Sequence, residues 1–342
     1  MIIPKGTAWQ HLRALCFDAL PAGATSHYTR AVPLDTWRHQ GSFHVLTCTK
    51  KFIVIESSGV EAGSALLADS EYLLDHAAEQ HATVRNFLTR LDWHSPAWAA
   101  VTAYYWSFFS AMALTRMVGN TIWFLDRAAL TEFRKLAGET YQPGAGALNV
   151  MVGNYLSATN REVVLRPSKA QLHEALWIRF HELAEELLSH SDAKANSLEY
   201  RMLWCLVEAR RRLGTAWPSK VRNLVNYRPG RAYREVTRGT EIDAAPYVRR
   251  KSPFTSEKLI SSFEDEVVKV KLGAQPAECL PLACRLSVLL AITVAEIARD
   301  LHFELMERTS ADRRWCDLRR SFLQRHCPGD NPGMAWPIGA EI

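Results

Sequence analysis

Twenty consecutive residues, Pro96 to Thr115, carry no charged side chain. A run of that length can cross a bilayer as one helix. Its middle, however, holds Tyr104, Tyr105, Trp106, Ser107 and Ser110, where a spanning helix favours Leu, Ile and Val and keeps its aromatics for the ends. The segment therefore reads as a helix buried inside a soluble bundle, and the rest of the chain must cover it. Ser95-Pro96 marks its start, since Ser caps and Pro is tolerated in the first turn. Gly119-Asn120 marks its end.

The neighbours are legible from apolar residues recurring at three- and four-residue steps. Glu71 to Leu91 places Leu73, Ala77, Val84, Leu88 and Leu91 on one side, and Ser168 to Leu188 does the same with Leu172, Leu176, Phe180, Leu183 and Leu187. Further helices are predicted over Thr121–Ala137, ended by Gly138, and over Ser197–Leu213, ended by Gly214. Three more are predicted over Ser256–Leu272, Pro276–Met306 and Asp312–Arg325. Trp98, Trp106 and Trp123 lie in the most apolar region and are expected to fill core volume. Strand signals are confined to the start. Phe43–Cys48 and Phe52–Ile55 are rich in β-branched and aromatic residues, and Thr49-Lys50-Lys51 between them suits a hairpin. Residues 138–168 hold Gly144, Gly146 and Gly153 among polar residues and read as a loop. The expected class is mainly α, a helical bundle with a small N-terminal β-hairpin element. The predicted units are a small α/β element over 1–70, a bundle over 71–235 with an insertion near 138–168, and a helical region over 236–342.

A chain of 342 residues with 48% hydrophobic and 23% charged residues is an ordinary globular protein of two or three subdomains. Seven cysteines without a CxxC pair point to unpaired, mostly buried thiols in a reduced cytoplasmic setting. The N-terminus lacks the pattern of a secretory signal. His173 and His181 share a helix with Glu174, Glu182, Glu185 and Glu186, but no HExxH occurs and a metal site is not expected. No cofactor motif is present, and no membrane contact is expected.

Charge is distributed unevenly. Thirteen basic and four acidic residues fall between Arg201 and Lys251, a net of +9 in a chain whose total is +5, so the remainder sums to −4. Positive charge at this density suits a polyanion, because neutralised phosphates release condensed counterions. Arg210, Arg211, Lys220, Arg228, Arg231 and Arg234 are the candidate phosphate contacts, although Arg210 to Arg212 also suit a solvated helix face. An acidic protein partner for the basic segment is a further alternative.

Two motifs together carry a family resemblance. Ala103-Tyr104-Tyr105-Trp106-Ser107-Phe108-Phe109-Ser110-Ala111 resembles the tyrosine-rich "AYYxxFxxA" helix of many HEPN-fold proteins. Arg222-Asn223-Leu224-Val225-Asn226-Tyr227 resembles their second mark, an Arg followed by a polar residue and a polar–aromatic pair. The order is that of the family, but the long separation requires an insertion around 121–168. The match covers about a third of the chain. The resemblance implies a helical bundle that often dimerises, and metal-independent RNA cleavage in toxin–antitoxin, CRISPR or anti-phage systems. It also implies partners among RNA, a second copy of the chain or an operon-encoded protein. In that chemistry Arg stabilises charge on the attacked phosphate and a His, separated from the polar neighbour by three to five residues, moves the proton.

Here the histidine position holds Tyr227, and the next histidine is His302. By the resemblance Arg222, Asn226 and Tyr227 are the candidate catalytic residues. Tyr227 has three readings: a base whose pKa is depressed by Arg222 and Arg228, a stacking platform, or half of a structural polar contact. Four Arg/His pairs of suitable spacing occur, Arg38/His44, Arg166/His173, Arg319/His326 and Arg320/His326, about what chance gives. Arg320/His326, at the end of a basic helix, is the best second site among them. The rival to an enzyme is a non-catalytic subunit that binds nucleic acid or protein.

Overall fold

In the computed structural model the charge-free segment is helix α4 (Pro96–Met117), packed between α3 (Gly59–Thr89) and α10 (Leu280–Arg308). The structure describes residues 6–20, 32–49, 51–89, 96–138, 149–155, 162–192, 197–227 and 257–308. Helix α4 buries 18 of its 22 residues, which is why its sequence tolerates no charge before Arg116. Arg116 is itself buried, and Asp69 Oδ2 of α3 meets its Nε at 3.1 Å while Ile122 O accepts from Nη2 at 2.7 Å. Helix α10 is also long and apolar enough to cross a membrane by composition, but 78% of its most apolar window is covered by protein.

Among the described residues seven other helices and a sheet surround this centre. In chain order they are α1 (Thr7–Ala19), α2 (Leu34–Gln40), β1 (His44–Cys48), β2 (Ile53–Glu56), then, after α3 and α4, β3 (Asn120–Leu125), α5 (Arg127–Leu136), β4 (Asn149–Tyr155) and β5 (Glu162–Pro167). Next come α6 (Leu172–Ser189), α7 (Leu198–Leu213), α8 (Trp217–Tyr227) and α9 (Glu257–Lys269), with a 3-10 turn at Pro276–Glu278 before α10. Asp126 caps α5 by accepting from Ala129 N at 2.8 Å, and Ser197 caps α7 by accepting from Tyr200 N at 3.2 Å. The mainly α class and the predicted hairpin are both present.

The β content is larger than the sequence suggests. The five strands among the described residues form one antiparallel sheet in the order β1-β2-β5-β4-β3. The helix expected over Thr121–Ala137 is a strand followed by a short helix, with Asp126 at the junction. The loop expected over 138–168 contains two strands, and Glu162–Leu165 pairs with Ile53–Glu56 from the first hairpin. The boundary placed at residue 70 falls inside the continuous helix α3, and the sheet joins strands from both sides of it. The described residues before position 70 therefore share one sheet and one hydrophobic core with helices and strands beyond it. Trp106 and Trp123 are buried as expected, but Trp98 is largely exposed. The basic arm over Tyr233–Ser252, the helix over Asp312–Arg325, the Arg320/His326 pair and the tail from Cys327 lie outside the described residues. The described cysteines, Cys16, Cys48, Cys205, Cys279 and Cys284, form no disulfide with one another, and all but Cys279 are buried.

Candidate functional site

Three helices bring the two motifs together. Helix α8 comes after α7 and a turn at Gly214, whose φ of 84° suits a residue without Cβ. Trp217, Val221 and Val225 of α8 are buried, and the helix packs on α4, α6 and α10. At 3.6 residues per turn, Arg222 falls at the border between that buried face and the exposed one marked by Lys220, Asn223 and Tyr227. Its guanidinium is thus drawn into the gap between α8 and the tyrosines of α4.

The guanidinium carbon lies 5.3 Å from the Tyr104 ring centre, 5.6 Å from that of Tyr105 and 6.0 Å from that of Tyr227. Cation–π attraction at such distances contributes about 0.5–2 kcal/mol per pair, more as water is excluded. Arg222 is only 9% exposed, and its Nε finds no hydrogen-bond partner among the described residues. Its Nη2 lies 3.5 Å from Nε2 of His173 on the first turn of α6. No carboxylate pairs with it among the described residues. The recess is open on one side: Tyr105 and His173 are half-buried, and Tyr227 is 72% exposed.

In the sequence His173 stands out only in the Arg166/His173 spacing and beside His181 on one helix, not as a partner of Arg222. Its Nδ1 is 2.6 Å from Tyr104 Oη, which is 3.2 Å from Ser219 Oγ of α8, and its ring packs on Phe108 at 4.4 Å. Burial, and then the charge of Arg222, push its pKa down to about 4, so the ring is neutral at pH 7. A cation beside Nε2 favours a lone pair there. That assigns the proton to Nδ1, which donates to Tyr104 Oη, while Tyr104 donates to Ser219 Oγ. Burial raises the Tyr104 pKa and keeps the phenol protonated. The arrangement presents a fixed cation and a neutral imidazole lone pair to the same recess. One can hold an oxyanion, and the other can accept a proton.

The structure sorts the remaining candidates. Asn226, one turn beyond Arg222, is half-exposed, and Lys220 is exposed on the outer face of α8. Arg210 pairs with Glu185 at 2.7 Å, and Arg211 and Arg212 both pair with Glu208 at 2.6 Å. These three arginines sit on α7 and share two carboxylates, so most of their charge is balanced there. Arg228, Arg231 and Arg234 lie outside the described residues. His181, which shares α6 with His173, is fully buried in the core, its pKa pushed down to about 3 by burial and by Arg210. Among the described residues no group of three or more His, Cys, Asp or Glu could hold a metal ion. Comparison with protein-family models, with curated proteins and with solved structures finds no match to this chain.

Proposed function

We propose that the chain is an RNA-acting protein of the HEPN-like kind its motifs resemble, an effector of a bacterial defence or toxin system that takes an RNA phosphate into the Arg222 recess. One observation carries this reading. A guanidinium about nine-tenths buried faces aromatic rings and a neutral imidazole, with no carboxylate among the described residues to balance it. An unpaired buried charge costs several kcal/mol, and an incoming phosphate would supply the missing counter-charge. The partner class is a polyanion, in keeping with the net +9 over residues 201–251.

As an enzyme it needs no metal in the step. The ribose 2′-oxygen attacks the adjacent phosphorus as its proton passes to Nε2 of His173. The bond to the 5′-oxygen breaks, giving a 2′,3′-cyclic phosphate, and the imidazolium returns the proton to the leaving 5′-oxygen. Arg222 meets the charge on the non-bridging oxygens throughout. His173 takes the place of the histidine missing after Arg222, and Tyr227 flanks the scissile position as a surface for a base. Purified protein incubated with total RNA and EDTA should cleave it, and Arg222→Ala and His173→Ala should each lower the rate at least about a hundredfold. The pH profile gives a second check. kcat/KM should rise with pH through the free His173 pKa of about 4. The limb of kcat should lie higher, because bound phosphate offsets the guanidinium charge that holds the imidazole neutral.

A second reading, a non-catalytic RNA-binding subunit, is favoured by that same low pKa, which makes His173 a weak base. Intact RNA in the same incubation, together with a salt-sensitive mobility shift abolished by Arg222→Ala, would select it. Neither cleavage nor a shift at low salt would reject both readings.

A further inference from the structure

The four residues of α4 that reach solvent are Trp98, Tyr105, Phe109 and Met112. Their spacing puts them on one stripe, where a helix at a protein surface ordinarily carries polar residues. Helix α3 extends the stripe with Tyr72, 60% exposed, and His76. The rings are continuous. Tyr72 meets His76 edge-on at 4.5 Å, His76 stacks on Phe109 at 5.1 Å, and Phe109 stacks on Tyr105 at 6.3 Å. Tyr105 lies under the Arg222 guanidinium, and exposed Tyr227 stands on the other side of that cation.

We infer that this stripe is the bed of an unpaired nucleic-acid strand whose phosphate enters the Arg222 recess. Its bases lie against Tyr227 on one side and along Tyr105, Phe109, His76 and Tyr72 on the other. This rests on the RNA reading above and narrows it to single strands. Aromatic rings engage bases only when these are free of a pairing partner, and a duplex offers such a surface little but backbone. A second copy of the chain is the competing occupant. Its apolar face would seal a guanidinium that has no carboxylate among the described residues, whereas a strand brings a phosphate with each base. At the far end Glu79 lies 3.4 Å from His76 Nδ1, so the backbone turns outward there and the bases face the protein.

The test uses the full chain and an RNA of about ten nucleotides, within the usual span of such sites. It is 2′-O-methylated to block cleavage and carries 2-aminopurine as a stacking reporter. Tyr72→Ala and Phe109→Leu should each weaken single-strand binding about tenfold and reduce quenching of the reporter. Weak binding of the matched duplex should not change. Arg222→Met should lose both. Unchanged single-strand affinity and quenching in Tyr72→Ala and Phe109→Leu overturns the inference while leaving the Arg222 site standing. Conversion of a dimer to a monomer by these variants in sedimentation, with strand affinity intact, assigns the stripe to a second copy and also overturns it. If the unsubstituted protein binds neither strand nor duplex, the RNA reading itself fails. Tyr72 is a surface residue, so its variant still decides the matter should Phe109→Leu unfold.

Discussion

Arg116 and Arg222 leave neighbouring helices and are buried to similar depth, yet their surroundings differ in kind. Arg116 donates to the Asp69 carboxylate, an arrangement that anchors α4 to α3. Arg222 has rings and an imidazole instead. If Arg222 served only to staple helices, replacing it with Met, similar in length and apolar, would remove cation–π attraction and lower stability. If it is held for a ligand, the same change removes the desolvation penalty of an unpaired charge. Arg222→Met is therefore expected to melt at the same or higher temperature than the unsubstituted protein while losing anion binding, and calorimetry with a phosphate titration checks both. His181 is a second residue whose local balance is unfavourable. Both ring nitrogens are buried without a partner among the described residues, a deficit of about 1–3 kcal/mol for a polar group. Its folded pKa of about 3 lies below the ordinary 6.5. Between those values the unfolded chain binds the proton and the folded one does not, so stability is lost as pH falls from 6.5 toward 3. His181→Leu should leave the melting temperature at pH 7.5 unchanged or raised and shift acid unfolding to lower pH, as circular dichroism would show.

Among elements, helices were far more legible than strands, for a physical reason. A helix satisfies its backbone within itself, so periodic apolar residues and a stop are enough; Gly119, Gly138 and Gly214, read as stops, all take positive φ at helix ends. A strand needs a partner, and although β5 has β4 close by, its other partner, β2, lies more than a hundred residues earlier, with nothing local to announce it. The run Thr121-Ile122-Trp123-Phe124-Leu125 is short and wholly apolar apart from its first residue, a pattern shared by buried helix and strand. The candidate site divides the same way. Arg222 and the twin tyrosines were legible because each motif is local. His173 escaped because it lies 49 residues before Arg222 on another helix and meets it only through packing. The usable hint was its place four residues before Trp177 on an aromatic-rich helix face. The turn at Gly214 sets the direction of α8 and hence the aim of Arg222. A Cβ there meets nothing within 4 Å, but φ of 84° remains strained for Ala. Gly214→Ala should cost about 1 kcal/mol in denaturant unfolding and weaken anion binding by more than that loss of stability alone explains.

Across the whole molecule, the cluster of positive charge is less available than its sequence suggests. Arg201 is held by Glu264 at 2.5 Å and Glu257 at 3.3 Å, Arg210 by Glu185, and Arg211 and Arg212 by Glu208. Of the basic residues from Arg201 to Tyr227, that leaves Lys220 and Arg222, both on α8, without an ion pair among the described residues. Glu185 on α6 and the acids of α9, which lie outside the basic segment in sequence, fold back to neutralise part of it. Net charge per segment therefore overstates the electrostatic footprint when acids from other elements are its neighbours. Salt dependence of binding measures the difference. For single strands the slope of log affinity against log salt falls by about 0.7 for each phosphate contact removed. Lys220→Ala should reduce the slope by about that amount and weaken binding at low salt most. Arg211→Ala, although its side chain is 59% exposed, should change the slope less, because Arg211 is already held by both oxygens of Glu208. Equal effects of the two substitutions would mean that ligand phosphate competes successfully with Glu208. The footprint would then extend from α8 along α7, and the recess at Arg222 would be one contact of many rather than the point that fixes the strand.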